Sequence, residues 1–424
     1  MKIGFFIIKN FILQYNKIIL YLKYVFSSFI IIYLIYQSYY FDGTKIIQNI
    51  NINNILNIID NNYQMPLYIY INYIKDCKKL KRYNKKIKKV NEYPFLSICL
   101  SAYNIEKYIE KSILSILNQS FQDFEIIIVN DFSTDNTNNI IKRLQIEDIR
   151  IKIINHNKNL GTYRSRSDAV LNAKGKYILF LDPDDLILNP VLFELLYYYN
   201  LKYNLDIIEF TVYHSIEEKK RIYYPEEHFF NHNHKFTKKF MYQPELSNIL
   251  YYEPQTKNYS YVICRTLWNK LYRKDVLQKS IEYIGIEYYK KYYIIVVEDT
   301  LLNILNFHFA NNYTNINLPG YMYNIRKFSI SHNEGDIKHL IIESISFYLY
   351  FKIFLKYIQE FDKDRNFFFY ELKGFDCYLK FLKLYNVKEY IKKSISMLLE
   401  VLNDHKSTIE MKNYTKDLII ELKK

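Results

Sequence analysis

Residues 177–185 have the sequence YILFLDPDD, in which an apolar run ends on three aspartates within four positions. The run at 177–181 predicts a buried strand, and the Pro and Asp residues that follow are typical of turns. Three carboxylates this close repel one another unless a cation or hydrogen-bond donors compensate their charge. Clustered oxygen ligands suit Mg²⁺ or Mn²⁺, and these cations bind phosphate. The motif therefore predicts either a metal site or a solvated Asp-Pro turn.

Upstream of this motif, short apolar runs alternate with segments of helical periodicity. Strands are predicted at residues 95–100, 124–130, 151–154 and 177–181, and helices at 106–118, 134–144 and 163–173. This order predicts an α/β fold with a mainly parallel sheet flanked by helices. Ligands of such sheets bind beyond the carboxyl ends of the strands, where Asp131 and the 182–185 motif both lie.

Three further polar groups each have a structural and a functional interpretation. Asp131 follows the second strand, where it can contact a ligand or belong to a helix cap. Arg166 lies near the start of a helix and can serve a diphosphate, although surface arginines are usually only solvated. The acids Glu298 and Asp299 begin a predicted helix, where they can be dipole partners or include a general base.

The overall composition places few limits on the function. The chain has 424 residues, half of them hydrophobic, which suits one large α/β domain with appendages. A net charge of +14 favours anionic partners such as nucleotides or membrane headgroups, or reflects a general excess of lysine. The basic run at 78–89 has no interleaved aromatic beyond Tyr83 and no binding motif, so we predict no nucleic-acid partner. The four cysteines have no zinc spacing.

The two ends of the chain differ from its centre. Residues 24–41 form an uncharged apolar stretch about as long as the minimum needed to cross a bilayer. Lysines but no acids precede this stretch, so the positive-inside rule predicts a cytosolic N-terminus. We therefore expect a tail and transmembrane anchor at 1–42 and a stem at 43–93, with a buried hydrophobic helix as the alternative to the anchor. Helical periodicity beyond residue 335 predicts a helical C-terminal subdomain at 336–424.

Together these pieces resemble family-2 glycosyltransferases, which have the GT-A nucleotide-sugar-binding fold. The resemblance covers residues 94–334 and implies a GT-A domain at 94–335. Its matching segments are SICLSAYN (97–104), IIIVNDFSTD (126–135), NLG (159–161), YILFLDPDD (177–185), WNKLY (268–272), ED (298–299) and SISH (329–332).

The resemblance implies a role for individual residues. Asp299 would be the catalytic base that deprotonates the acceptor, with Glu298 beside it. Asp184 and His332 would hold a divalent metal, Mn²⁺ or Mg²⁺. The residues implied in nucleotide-sugar binding are Tyr103, Glu106, Asp131, Arg166 and Asp182.

The implied enzyme is an inverting, bacterial-type, non-processive glycosyltransferase. It would move a sugar from a nucleotide-sugar donor, expected to be a UDP-sugar, to the hydroxyl of an unidentified glycan, lipid or protein. The chain has no Gln-x-x-Arg-Trp segment and no C-terminal bundle of membrane spans, which argues against a processive synthase. Two residues depart from the family pattern: Ala102 replaces a usual Pro, and Ser167 replaces a usual Asn.

Two other functions and a cellular location complete the expectations. A catalytically inactive GT-A-fold binding protein would fit the same pattern. A nucleotidyltransferase fits less well, because residues 97–104 lack the Gly-rich loop of that class. The anchor, stem and catalytic domain together predict a single-pass membrane protein of the Golgi or another secretory-pathway membrane.

Overall fold

The computed structural model describes residues 91–216, 221–223, 240–242, 250–253, 258–261, 266–285, 297–325, 337–361, 363 and 365–423. The predicted anchor, nearly all of the predicted stem and the predicted metal ligand His332 lie outside these residues.

Strands and helices alternate in the first part of the fold, as the sequence predicts. The strand predicted at 124–130 has the same bounds in the structure. The predicted helix at 106–118 begins three residues later, because residues 106–108 form a turn. The elements are β1 (Leu96–Ala102), α1 (Ile109–Leu117), β2 (Phe124–Asn130), α2 (Thr137–Glu147), β3 (Ile151–Asn155), α3 (Thr162–Asn172) and β4 (Tyr177–Phe180).

The second part of the fold contains further strands, from 2 to 14 residues long, that the sequence did not predict. They are interleaved with three helices, the last of which begins with the two acids expected at a helix start. The elements are β5 (Leu186–Ile187), α4 (Leu192–Tyr203), β6 (Ile207–Ile216), β7 (Arg221–Tyr223), β8 (Phe240–Tyr242), β9 (Leu250–Glu253), β10 (Asn258–Tyr261), β11 (Lys270–Arg273), α5 (Lys274–Ile284), α6 (Glu298–Phe309) and β12 (Asn312–Ile325).

The main sheet is mixed rather than mainly parallel. Its strand order is β3-β2-β1-β4-β11-β6-β12-β5, with β7 on β6 and β8 on β12. Strands β3, β2, β1 and β4 are parallel, whereas β11 is antiparallel to both β4 and β6. The expectation of a mainly parallel sheet therefore holds for the first four strands and for the pair β6 and β12, but not for β11. Antiparallel neighbours such as β11 and β6 do not need the long crossover connection that parallel neighbours require.

The register of the parallel strands brings three chain segments to one edge. Ala102 of β1 pairs with Asn130 of β2, and Asn130 pairs with Asn155 of β3. Residues 103, 131 and 156 therefore leave the sheet side by side. This edge is where the sequence predicts a ligand site.

The two faces of the sheet have separate cores, because side chains alternate along a strand. Ile98 and Leu100 face a core built with α1 and α4. Cys99 and Val129 face the other core, which continues without a break into the C-terminal helices. These helices, predicted from the sequence as a helical region, are α7 (Ile337–Glu360), α8 (Arg365–Leu384), α9 (Lys388–Asn403) and α10 (Ile409–Lys423).

The predicted localisation has to be corrected. Within the part of the chain that the structure describes, every helix is too short or too polar to cross a membrane. Even the longest helix, α7, carries Glu343, Lys352 and Lys356 among its apolar residues. We therefore withdraw the expectation of a single-pass protein in the Golgi or another secretory-pathway membrane.

Candidate active site

One buried arginine organises the acidic residues at the edge of the sheet. Arg166 lies on α3, and only 7% of its side chain is exposed. Its Nη2 donates to Asp182 Oδ1 at 2.8 Å. Its Nη1 donates to Glu298 Oε1 at 3.1 Å and also to Asp299 Oδ1. The side chain therefore joins the end of β4 to the first turn of α6.

Glu298 and Asp299, the two acids of α6 that bind Arg166, have raised pKa values. Burial, and then the charge of Asp299, raises the pKa of Glu298 to about 7, against the opposing effect of Arg166. Burial also raises the pKa of Asp299, again opposed by Arg166. Asp299 is a quarter exposed, whereas Glu298 is nearly covered. Asp299 is thus the acid that a substrate can reach.

The turn after β4 is hydrogen-bonded to strand β12. Asp185 is fully buried. Its Oδ2 accepts from the Tyr321 hydroxyl at 2.6 Å, and its Oδ1 accepts from the Asn324 backbone N–H at 2.7 Å. The Tyr321 hydroxyl in turn accepts from the Asp182 backbone N–H at 3.2 Å. Asp185 therefore fixes the shape of the turn, which leaves Asp182 and Asp184 closer to solvent.

The acidic turn fits a divalent cation only in part. Within the described ranges, no group of three or more His, Cys, Asp or Glu side chains is arranged to hold a metal ion. Asp182 is bound to Arg166, and both Asp185 oxygens accept protein hydrogen bonds. Asp184 is a half-buried carboxylate in the same turn. Its hard oxygens suit a Mg²⁺ or Mn²⁺ ion that takes its other ligands from phosphate and water.

The loops after β1 and β2 brace each other and leave an aromatic ring of each exposed. Asn104 donates from its backbone N–H to Ser133 Oγ at 3.1 Å, and its side-chain oxygen accepts from the Thr134 N–H at 2.8 Å. Tyr103 is 45% exposed and Phe132 is 49% exposed. Tyr103 is therefore accessible to a ligand, and Phe132 is an accessible ring that the sequence did not single out.

Glu106, expected to bind the nucleotide sugar, contacts the backbone next to α2. Its Oε2 accepts from the backbone N–H of Asn136 at 2.9 Å, directly before α2. Its own backbone N–H donates to Asp135 Oδ2 at 3.1 Å. Glu106 is exposed and hydrogen-bonded to the segment that leads into α2, and its role in nucleotide-sugar binding stays a prediction.

Asp131 lies at the predicted place but is enclosed. It is buried, and its Oδ1 and Oδ2 accept from the backbone N–H groups of Leu160 and Gly161, both at 2.8 Å. Gly161 has a φ of 87°, a conformation that glycine adopts without strain, and it immediately precedes α3. Asp131 therefore shapes the turn that leads into the helix of Arg166.

An aromatic stack borders the acidic cluster. Trp268 stacks on Tyr321 at 4.8 Å and on Tyr323 at 5.3 Å between ring centroids. The neighbouring Leu267 backbone N–H lies 3.4 Å from Asp299 Oδ2. The loop before β11 thus contacts both the expected base and the tyrosine that supports the acidic turn.

The structure brings together some, but not all, of the expected residues. Arg166 joins Asp182, Glu298 and Asp299, while Asp131 and Tyr103 leave the same edge of the sheet. Sequence reasoning missed Tyr321, which contacts Asp182 and Asp185, and His156, which contacts Asp131. In a chain with 46 tyrosines, nothing distinguishes Tyr321 from the others. His156 could have been noticed because it follows a predicted strand.

Comparison with known proteins agrees with this fold. The profile of the family described as glycosyl transferase family 2 matches residues 97–281. The strand order and the acids at the sheet edge define an α/β fold of the GT-A kind. Residues 97–281 of this chain belong to glycosyl transferase family 2.

The relatives extend the comparison over different lengths. The "Uncharacterized glycosyltransferase EpsJ" of Bacillus subtilis (strain 168) is 32% identical over 187 residues, 44% of this chain and 50% of EpsJ. "Glycosyltransferase GlyA" of Streptococcus pneumoniae serotype 4 is 28% identical over 236 residues, 56% of this chain and 31% of GlyA. A solved structure of S. aureus TarS residues 1–349 with UDP-GlcNAc is 16% identical, covering 77% of this chain and 88% of that one, with a TM-score of 0.47. The chain thus spans about half, or less, of these curated relatives.

Proposed function

We propose that this protein transfers a sugar from a nucleotide-sugar donor, with a UDP-sugar as the expected donor, to the hydroxyl group of an acceptor. The observation that carries the proposal is the grouping of Asp182, Glu298 and Asp299 around the buried Arg166. Arg166 and Asp299 are separated by 133 residues, and their contact brings the expected base to the edge where parallel strands bind ligands. The family of residues 97–281 supports the same reaction class.

In the proposed reaction Asp299 is the general base. Its carboxylate accepts the proton of the acceptor hydroxyl while that oxygen attacks the anomeric carbon. The bond between this carbon and the diphosphate oxygen breaks, and its electron pair leaves with the nucleoside diphosphate. A single displacement of this kind inverts the anomeric configuration. The raised pKa of Asp299 suits a proton acceptor that works near neutral pH.

The other residues of the cluster have supporting roles in this proposal. Arg166 binds the Asp299 carboxylate and links it to Asp182, so the base is held in a fixed position relative to the donor site. Tyr103, as an accessible ring at the end of β1, is suited to contact the nucleotide base. Asp184 would hold the divalent cation, which when bound supplies positive charge to the leaving diphosphate.

The proposed base is tested with the variant Asp299→Asn. In a panel of nucleotide sugars with Mn²⁺, we expect release of nucleoside diphosphate in the presence of acceptor to fall by about 10²- to 10⁴-fold. Binding of uridine diphosphate, measured by calorimetry, should persist. Asp275→Asn is the matched control, because Asp275 also lies in the first turn of a helix, is half exposed and pairs with Arg273.

The outcomes separate the proposal from its competitor. Full transfer activity in Asp299→Asn would remove Asp299 as the base. If the unmodified protein binds uridine diphosphate but turns over no donor in the panel, a catalytically inactive binding protein is the better description.

The proposed cation is tested separately, with Asp184→Ala. In the presence of uridine diphosphate, we expect Mn²⁺ binding, followed by electron paramagnetic resonance, to weaken by at least roughly 10-fold, since a coordinating carboxylate is lost. Unchanged Mn²⁺ affinity would show that Asp184 is not a ligand.

A further inference from the structure

The imidazole of His156 lies between two carboxylates at the edge of the sheet. His156 directly follows β3, and 7% of its side chain is exposed. Its Nδ1 lies 2.7 Å from Asp131 Oδ1, and its Nε2 lies 3.0 Å from Asp168 Oδ2. Ionised carboxylates only accept hydrogen bonds, so both ring nitrogens must donate. Both can donate only when the ring is a doubly protonated imidazolium.

The charges around His156 balance when its ring is protonated. Asp131 faces it from the end of β2, and Asp168 faces it from α3. Asp168 is shared with a second cation, because Arg164 Nε donates to Asp168 Oδ2 at 2.5 Å. Burial alone lowers the pKa of His156, but the hydrogen bonds and charges of the two aspartates outweigh it and raise the pKa to about 9. The ring is therefore charged at neutral pH.

The His156–Asp131 contact extends to the helix of Arg166. Asp131 Oδ1 accepts both from His156 and from the Leu160 backbone N–H, while Oδ2 accepts from Gly161. Gly161 immediately precedes α3. The imidazolium thus donates to the carboxylate of Asp131, and this carboxylate accepts from the backbone of the turn at residues 160–161. The turn leads into α3, the helix that carries Arg166. Without the charged ring, the buried Asp131 would keep its two backbone donors but lose the cation beside it.

We propose that His156 is a positioning residue whose imidazolium fixes Asp131 and the turn at residues 160–161, and thereby shapes the site for a nucleoside diphosphate. This inference rests on the proposed function, because it takes the edge beside Asp131 to be the donor site. His156 itself is covered by its two aspartates and is not a catalytic residue. Deprotonation of the ring removes one of its two donated hydrogen bonds, so affinity for the nucleoside diphosphate should fall at alkaline pH.

The test measures binding of uridine diphosphate with Mg²⁺ by calorimetry between pH 7 and pH 9.5. For the unmodified protein we expect the affinity to fall by roughly 10-fold across this range, as one charge-assisted hydrogen bond is lost. His156→Gln should already bind roughly 10-fold more weakly at pH 7 and should show no alkaline step. His405→Gln is the matched control, because His405 is almost fully exposed and remote in sequence from the sheet edge.

A second variant keeps the proposal testable if His156→Gln does not fold. Asp168→Asn leaves His156 and Asp131 in place but removes one of the two carboxylates that favour the charged ring. The alkaline step in affinity should then move to lower pH. A residue that merely fills space would not shift a pH profile in this way.

The possible failures are distinguishable. A uridine diphosphate affinity that is flat from pH 7 to pH 9.5, or an alkaline step that persists in His156→Gln, overturns the role of His156 and leaves the proposed function intact. If the unmodified protein binds no uridine diphosphate at any of these pH values, the proposed donor class fails, and the inference fails with it.

Discussion

The two ends of helix α6 provide opposite environments within one element. At its start, Glu298 and Asp299 share the guanidinium of Arg166 in a cluster of buried charges. At its end, His308 packs among aromatic rings, with its ring centroid 4.1 Å from that of Phe361. The first end is suited to hold and move protons, whereas the second joins the α/β core to the C-terminal helix α7.

Two histidines show what this difference does to the same side chain. Two aspartates raise the pKa of His156 to about 9, although it is buried. Burial among rings, assisted by the charge of Lys363, lowers the pKa of His308 to about 4. The direction of the shift is therefore set by the partners of the buried ring and not by burial alone. The same rule predicts how each region responds to substitution.

The largest effect on stability is expected from Arg166→Gln. This change leaves three carboxylates close together without their shared cation, and it should lower the free energy of unfolding by about 3–5 kcal/mol. Urea denaturation at pH 7 measures the loss. Arg166→Lys should recover only part of it, because a single ammonium cannot reproduce the guanidinium fork.

A double-mutant cycle shows whether the loss arises from the charges. In an Asp182→Asn background, the effect of Arg166→Gln should be smaller, because fewer anions are left unpaired. A loss below about 1 kcal/mol for Arg166→Gln alone would contradict the view that this end of α6 depends on paired charge.

The next largest effect concerns acid pH at the aromatic end. The folded state lowers the pKa of His308 from 6.5 to about 4, so it favours the neutral ring. The contribution of this ring to stability is full above pH 6.5 and is lost as the pH falls from 6.5 towards 4. The loss should be roughly 1–3 kcal/mol. His156 has the opposite sign: its contribution is full below pH 6.5 and is lost as the pH rises towards 9.

The comparison with His308→Phe isolates this contribution, because carboxylates throughout the protein also titrate in the acid range. Phe keeps an aromatic ring beside Phe361 but cannot be protonated. The stability difference between the two proteins should therefore shift in favour of the variant as the pH falls. If the free energies of unfolding of the two proteins changed in parallel between pH 7 and pH 4, His308 would not titrate as its surroundings indicate.

Backbone strain offers a smaller test of the two regions. Phe132, at the polar edge, has a φ of 63° and is half exposed. Asn386, between α8 and α9, has a φ of 55°. Asn tolerates this left-handed conformation better than a bulky side chain does. Phe132→Asn should therefore raise the free energy of unfolding by about 0.5–1 kcal/mol, and Asn386→Phe should lower it by about as much. Thermal unfolding of both variants measures these two changes in stability. If both changes had the same sign, the strain argument would be contradicted.

The strain at Phe132 bears on function as well as on stability. An exposed ring held in an unfavourable conformation beside the accessible Tyr103 is typical of a binding edge. If Phe132 contacts the donor, Phe132→Asn will gain stability and lose affinity for uridine diphosphate in the same protein. Unchanged affinity would leave only the backbone effect.

Much of the first half of the fold could be predicted from the sequence. From residue 95 to residue 181 the strands are short apolar runs and the helices have clear periodicity, so each local pattern agrees with the final element. The strands after β4 were not predicted. Runs of Tyr and Ile suit both strands and buried helices, and which runs pair depends on contacts distant in sequence.

The sequence indicated where the site lies but not which of its residues contact one another. Acids at the ends of parallel strands indicated the edge, and the acids at 298–299 indicated a helix start. The link from Arg166 to Asp299 depends on how α3 and α6 pack, which no local pattern encodes. Asp131 shows the same limit, since its backbone partners at residues 160 and 161 were not predictable from its own surroundings.

The smallest effect on stability is expected for an arginine–carboxylate pair that is exposed to solvent. Arg143 Nη2 contacts Glu110 Oε1 at 2.8 Å, as close as Arg166 is to Asp182, but these side chains are 49% and 42% exposed. Solvent screens the pair and both side chains lose freedom in forming it, so Arg143→Ala should change the free energy of unfolding by less than about 0.5 kcal/mol. Urea denaturation beside Arg166→Gln makes the comparison direct. Similar losses in the two variants would show that burial does not distinguish them, and the contrast between the charged edge and the rest of the surface would fail.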